Sequence, residues 1–291
     1  MCICRDTVKT IISEERRVSA ESYFISQFSK KSGFIGDDGA VAGQFVYSND
    51  AFFENVHFKS SWMSLEQISN KAMLVNISDA VAMNAEPKYA LLSVAIPGKY
   101  SAADMRRLAD GFKNAADKYG IEIIGGDTIA NVKLDISVTI ISKAVRPLYR
   151  KGLKKGHLLA YTGRLGRSAR DLRYLLRGGK VHSASKFVTF DLRQEFIRSV
   201  TPSLSCGMDI SDGIFSDLDR LSSVNRIGFG YIGDVSRQLG CSGEEYEMLI
   251  GFDHRKRKKV QRLAEKSRTP LTIFAKAVRK GYRNRCKAHH F

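Results

Sequence analysis

Five short acidic groups stand out in the chain: GDDGAV (36–41), SND (48–50), NISDA (76–80), GGDT (125–128) and DISDG (209–213). Each sets an aspartate beside glycine, serine or asparagine. A carboxylate in that setting is held on a sharp turn with backbone amides free nearby, which suits a hard divalent cation and phosphate oxygens better than it suits packing. Mg²⁺ takes one or two carboxylates together with substrate phosphates, so convergence of several such groups implies a multi-metal nucleotide site. Taken singly, each is the composition of an ordinary turn or helix cap. Their number, with each expected at the boundary of an element, is what raises them above that level. Other chemistries lack their residues. No G-x-x-x-x-G-K-[ST], G-x-S-x-G or H-E-x-x-H occurs. GFGYIG (228–233) has the letters of a dinucleotide fingerprint, but Gly240 and Gly243 fall where the phosphate-binding helix would run. The six histidines are dispersed, and only His57, in NVHF, lies close to an acidic group.

The elements that must position these groups follow from periodicity and punctuation. A helix is expected over 20–28. Apolar residues three and four apart after Ser64 predict a long helix over 64–85, and the run 89–97, stopped by Pro97 and Gly98, predicts a buried strand. Residues 101–119 open on Ser101 and Asp104 and end before Gly120, as a helix does. Strands are expected at IEIIGG (121–126) and KLDISVTIISKAV (133–145). The basic, glycine-bearing stretch 146–163 reads as a boundary, dividing the chain into domains 1–147 and 148–291. In the second domain helices are expected near 167–177, 186–200, 213–224 and 255–267, with strands at 228–235 and from 271. The class is α+β, two mixed α/β domains.

Charge and cysteine content bound the partners. The chain of 291 residues carries 47 Lys+Arg against 30 Asp+Glu, a formal net charge of +17. Residues 251–291 alone hold 14 of the basic and two of the acidic groups, so the body is nearly balanced. A nucleic-acid partner for this tail is the less favoured expectation, because no aromatic residues interleave its basic run as stacking would require. Five cysteines, Cys2, Cys4, Cys206, Cys241 and Cys286, show no paired spacing of a zinc site or disulfide framework, and a reducing interior is expected. With no apolar run of the roughly 18 residues that span a bilayer, and no apolar leader segment, a soluble cytoplasmic protein is expected.

In order along the chain, IGDDGAV, SNDAFFENVHF, NKAMLVNISDAVAMNAEPKYALLSVAIP, IIGGDT, GMDISDGIFSDLDRL and SGEEYEML resemble the thiamine-monophosphate kinases, of the aminoimidazole-ribonucleotide-synthetase-like ATP-binding superfamily. The resemblance covers about 35–250. It implies that the N-terminal sheet pairs with a second subunit into a barrel, making a homodimer, and that a C-terminal α/β sandwich closes over the nucleotide. It implies ATP-dependent phosphorylation of thiamine monophosphate to thiamine diphosphate, with Mg²⁺ as cofactor. By the same resemblance Asp38, Ser48, Asn49, Asp50, Asp79, Asp127, Asp209 and Asp212 form the metal shell, with Asp37 beside it. Gly125, Gly126, Arg146 and Ser211 contact nucleotide, and His57 and Glu244 contact thiamine monophosphate. Asn49 stands where threonine is common. The family's C-terminal aromatic, commonly tryptophan, has no counterpart, since the sole tryptophan is Trp62. Tyr282 and Phe291 are the candidates to stand in. Synthetase or maturation-type enzymes of the same superfamily are the alternative.

Overall fold

The computed structural model describes residues 20–29 and 32–286. Its elements run α1 (Ala20–Ser29), β1 (Ala40–Ala42), β2 (Phe45–Phe53), α2 (Leu65–Ala82), β3 (Ala85–Pro97), α3 (Ala102–Tyr119), β4 (Glu122–Asn131), β5 (Asp135–Ala144) and β6 (Leu158–Thr162). They continue with α4 (Arg167–Leu176), α5 (Gln194–Val200), β7 (Cys206–Asp209), α6 (Ile214–Asn225), β8 (Gly228–Tyr231), α7 (Arg237–Gly240), β9 (Met248–Phe252), α8 (Arg257–Lys266) and β10 (Leu271–Val278). Two five-stranded sheets result, ordered β1-β2-β5-β3-β4 and β7-β9-β6-β10-β8. Among the described strand pairs only β3–β4 is parallel. The chain is therefore α+β, with one sheet from each half.

Helix α2 lies at the centre. A capping box, in which Ser64 and Gln67 each bond the other's backbone, fixes its start. Thirteen of its 18 residues are buried, so it is covered on all sides rather than along one stripe. The inner face of the first sheet packs on it through Phe52, Ile136, Val138 and Ile140, in a cluster that continues to Ile250 and Phe252 of the second sheet. A second core forms where Ile214, Phe215 and Leu218 of α6 meet Met208, Leu249 and Phe274. Strand β2 alternates strictly: Val46, Ser48 and Phe52 face α2 while Tyr47, Asn49, Ala51 and Phe53 face outward.

Several expectations are corrected. SND lies within β2, NISDA within α2 and GGDT within β4, so only GDDGAV and DISDG sit at element boundaries. LLAYT, placed in the connecting stretch, is the central strand β6. The helix expected over 186–200 begins only at Gln194; the preceding turns bury Phe187, Val188 and Phe190, and Ser185 anchors them to Asp171 at 2.6 Å. Strands β7 and β9 were not foreseen, because residues buried on both faces leave no alternation to read. Cys241 and Cys286 form a disulfide, against the expectation of unpaired thiols. They are 45 residues apart, and only the return of the chain after β10 along α6 brings them together. Cys206 is free and buried, its thiol pushed up to about 12 by burial. Among the described residues no helix is long and apolar enough to cross a membrane.

Because Ile77 is fully buried at the contact of α2 with the first sheet, Ile77→Ala should destabilise the protein by about 2–5 kcal/mol. Denaturant unfolding checks this; a loss below about 0.5 kcal/mol would show that α2 is not the packed centre.

Candidate active site

Three of the acidic groups converge. Asp38 lies in the loop before β1, Asp79 in the last turns of α2 and Asp209 at the end of β7, yet they present oxygens all within 4.8 Å of one another. The polar face of α2 enforces this meeting. Ser78 donates to Asp209 Oδ2 at 2.7 Å, and Asn76 Oδ1 accepts from the Asp50 amide at 2.8 Å. Ser48 Oγ donates to the Asn76 carbonyl at 3.3 Å, tying β2 to the same helix.

Burial dominates the electrostatics. Asp50 is pushed up to about 6 by burial and then by the charges of Asp38 and Asp212. Asp209 is pushed up to about 7 by burial and then chiefly by Asp38. Asp38 and Asp79 are raised for the same reasons, only partly offset by Arg150. Arg150 pairs with Asp38, and its own amide donates to Asp37 Oδ1 at 2.6 Å. Even so, Asp38 Oδ2 is buried without a hydrogen bond. Asp212 pairs with Arg220 at 2.5 Å, and Arg220 also reaches the buried Asp217. Among the described residues Arg150 alone forms an ion pair within the Asp38, Asp50, Asp79 and Asp209 cluster, so the remaining negative charge must be balanced by protons or by a further cation. Oxygen donors of this kind hold Mg²⁺ or a similar hard ion.

Other expected site residues lie elsewhere. Asn49, by strand alternation, points to the outer sheet face, where its amide bonds Ser137, Val138 O and Thr139. Asp127 pairs in register with Ser93 on exposed β4. It stands three strand spacings from Ala51, roughly 14 Å. Gly126 has a packing reason for its lack of a side chain, since a Cβ there would lie 1.8 Å from the Leu92 carbonyl. Gly125 precedes it on the same exposed strand. Arg146 lines a separate cavity of about 180 Å³ with Val81, Asn84, Glu86, Gln194 and Arg198. Arg150, missed from the sequence, is the guanidinium that reaches the acidic cluster. Ser211 joins two loops, its carbonyl accepting from the Glu244 amide at 2.7 Å.

His57 and Lys71, the ion-pair partner of Glu244, gather around one aromatic ring. His57 stacks on Phe52 with centroids 5.7 Å apart, and its Nδ1 accepts from the Phe53 amide. Lys71, also missed, sits 5.5 Å from the Phe52 centroid and pairs with Glu244 at 2.7 Å. Tyr282 is committed to packing, its hydroxyl donating to the Phe215 carbonyl. Trp62 meets Phe187 edge-on, and Phe291 lies outside the described residues.

Residues 36–144 match the family described as AIR synthase related protein, N-terminal domain. The chain is 34% identical over 207 residues to the thiamine-monophosphate kinase of Rhodopirellula baltica, covering 67% of this chain and 62% of that one. It is 30% identical over 210 residues to the Bacillus subtilis enzyme of the same name, covering 66% and 64%. The matches thus span just under two thirds of these relatives. In fold it is similar to the Aquifex aeolicus protein described as AaThiL complexed with AMPPCP and TMP, with a TM-score of 0.78 and 22% identity over 93% of this chain and 95% of that one. Escherichia coli HypE, a hydrogenase maturation protein, shares the fold more distantly, with a TM-score of 0.65 and 15% identity over 90% and 93%. Fold alone therefore leaves the branch open, while sequence identity is higher to the kinases. Residues 36–144 therefore match the AIR-synthase-related N-terminal domain, and the chain is similar to the thiamine-monophosphate kinases.

Proposed function

We propose that this protein transfers the γ-phosphoryl group of ATP to thiamine monophosphate, giving thiamine diphosphate and ADP. The observation that carries the proposal is the convergence of Asp38, Asp79 and Asp209, from a loop, a helix and a strand of both halves, on one buried spot short of positive charge. The attacking atom is a phosphate oxygen already anionic, so no general base is required, and catalysis reduces to aligning two polyanions. Asp38, Asp79 and Asp209 would hold Mg²⁺, with Asp50 and Asp212 beside them. When bound there, Mg²⁺ supplies charge neutralisation for the phosphates. The chain's own residues do the rest. Ser78 and Asn76 keep the carboxylates in place. Arg150 holds the Asp37–Asp38 loop against the cluster and keeps a buried Nε without a partner. His57 and Glu244 mark the end that takes the thiamine rings.

The remaining assignments belong to the same proposal. Residues 1–147 form the ATP and metal domain and 148–291 the domain that closes over it. Ser211 contacts nucleotide, as do Gly125 and Gly126 with Asp127 beside them, while Arg150 takes the part first given to Arg146. Exposed β4, with Ile124 and Ile129 outward, is the edge on which a second copy docks to complete a barrel. The reaction belongs in the cytoplasm, where ATP is available.

Three outcomes are expected. Purified protein with ATP, Mg²⁺ and thiamine monophosphate should form thiamine diphosphate, and Asp209→Asn should lower kcat by about 10²–10³-fold; a folded, Mg²⁺-supplied wild type that makes no product contradicts the proposal. Light scattering should find a dimer that Ile129→Arg converts to monomer, whereas a wild-type monomer would remove the shared barrel. The third outcome concerns pH. Folded pKa values near 6 and 7 for Asp50 and Asp209 exceed the ordinary value of 3.8, so the metal-free fold binds more protons than the unfolded chain between these limits. Its stability from these groups is full at low pH and falls as pH rises through the folded values. Thermal melts in chelator should therefore show a lower Tm at about pH 8 than at about pH 5, and added Mg²⁺ should raise Tm more at the higher pH. An equal Mg²⁺ effect at both would contradict the buried cluster as the ion's site.

A further inference from the structure

We infer that Lys71 is a positioning residue that sets the carboxylate of Glu244 at the organic end of the substrate site. The inference rests on the thiamine monophosphate assignment and extends it to a residue the acidic motifs do not contain.

Lys71 is fully buried, although it carries an ammonium group. Its Nζ lies 2.7 Å from Glu244 Oε2, 3.8 Å from the centroid of Phe187 and 5.5 Å from that of Phe52. A buried charge is costly unless paired, and a leucine or methionine would fill the space between two phenylalanines at no such cost. The charge is therefore kept for its partner. Lys71 is also two helical turns, about 10 Å, from Ser78 on the same face of α2, and Ser78 holds Asp209. One helix face thus carries the phosphate end at Ser78 and, a nucleotide-sized step away, the end marked by Glu244.

Glu244 has no anchor for its carboxylate in its own loop. Its backbone is left-handed, φ 54°, as is that of Tyr246 at 49°, a conformation non-glycine residues hold only when the surroundings fix it. The neighbouring glutamates are held within the second half of the chain: Glu245 by Lys186, Ser242 and the Gly166 amide, and Glu247 by Arg193, Lys186 and Thr162. Glu244 alone reaches to α2. Its Oε2 is taken by Lys71, its Oε1 accepts no hydrogen bond from the described residues, and its side chain is 25% exposed. That oxygen is left for a ligand, and Lys71 links its carboxylate to the Phe52 ring on which His57 stacks. A partly exposed carboxylate with one oxygen held and one open suits the amino-bearing edge of a cationic heterocycle. Lys71 fixes the carboxylate's direction without occupying the oxygen that binds.

The test uses full-length protein, calorimetric titration with thiamine monophosphate, and steady-state kinetics in both substrates, for wild type, Lys71→Met, Lys71→Arg, Glu244→Gln and the double variant Lys71→Met/Glu244→Gln. Lys71→Met should raise Kd and KM for thiamine monophosphate about tenfold or more while KM for ATP changes less than about twofold. Lys71→Arg should recover most of the loss, and the double variant should be no worse than Glu244→Gln alone. Lys71→Gln replaces the methionine variant if that one does not fold. Unchanged binding in the Lys71 variants, an equal rise in KM for ATP, or additive losses in the double variant overturn the inference. Wild type that binds no thiamine monophosphate overturns it as well, whereas wild type that binds but does not turn over contradicts only the kinase assignment.

Discussion

Several carboxylates share one buried spot, and the rest of the structure is arranged around that repulsion. Like charges at this separation in a poorly solvated site drive one another toward the protonated form, and Asp50 and Asp209 are displaced accordingly. The chain supplies Arg150 directly and Arg220 at the margin. It supplies no lysine to the three converging carboxylates among the described residues. Such an arrangement costs stability that a divalent cation would restore, which is what the proposed ion and phosphate site requires.

Helix α2 is what makes the arrangement possible. It is buried on every side, so its polar residues must find partners inside the molecule. Asn76 reaches β2, Ser78 reaches β7 and Lys71 reaches the loop before β9, which couples the two sheets through one rigid element. The same buried helix packs both halves of the apolar core. Stability and site geometry therefore depend on one element, and the functional side chains inherit its rigidity.

The legibility of this organisation in the sequence differed from residue to residue for physical reasons. Helices α2 and α3 were readable because serine caps and apolar periodicity agreed, and β5 because it alternates. The acidic motifs pointed to Asp38, Asp79 and Asp209, which the fold brings together. They pointed there for a partly wrong reason, since NISDA lies inside a helix and not at a boundary. Asn49 shows the limit of motif reading: strand alternation turns its side chain away from Ser48 and Asp50, whatever its position in the motif. Arg146 and Arg150 are four residues apart in a connecting stretch, where no periodicity says which one faces inward. Lys71 left one signal, the sole basic residue of the helix, set in its buried middle. The Cys241–Cys286 bond left none, because its 45-residue separation is closed only by the tertiary fold.

The most direct test of the central claim is anomalous diffraction from crystals grown with Mn²⁺ in place of Mg²⁺, a non-hydrolysable ATP analogue and thiamine monophosphate. An anomalous peak bonded at about 2.0–2.2 Å to oxygens of Asp38, Asp79 and Asp209, and to the analogue's phosphates, is the predicted result. Nucleotide bound with no metal peak at these three aspartates would contradict it.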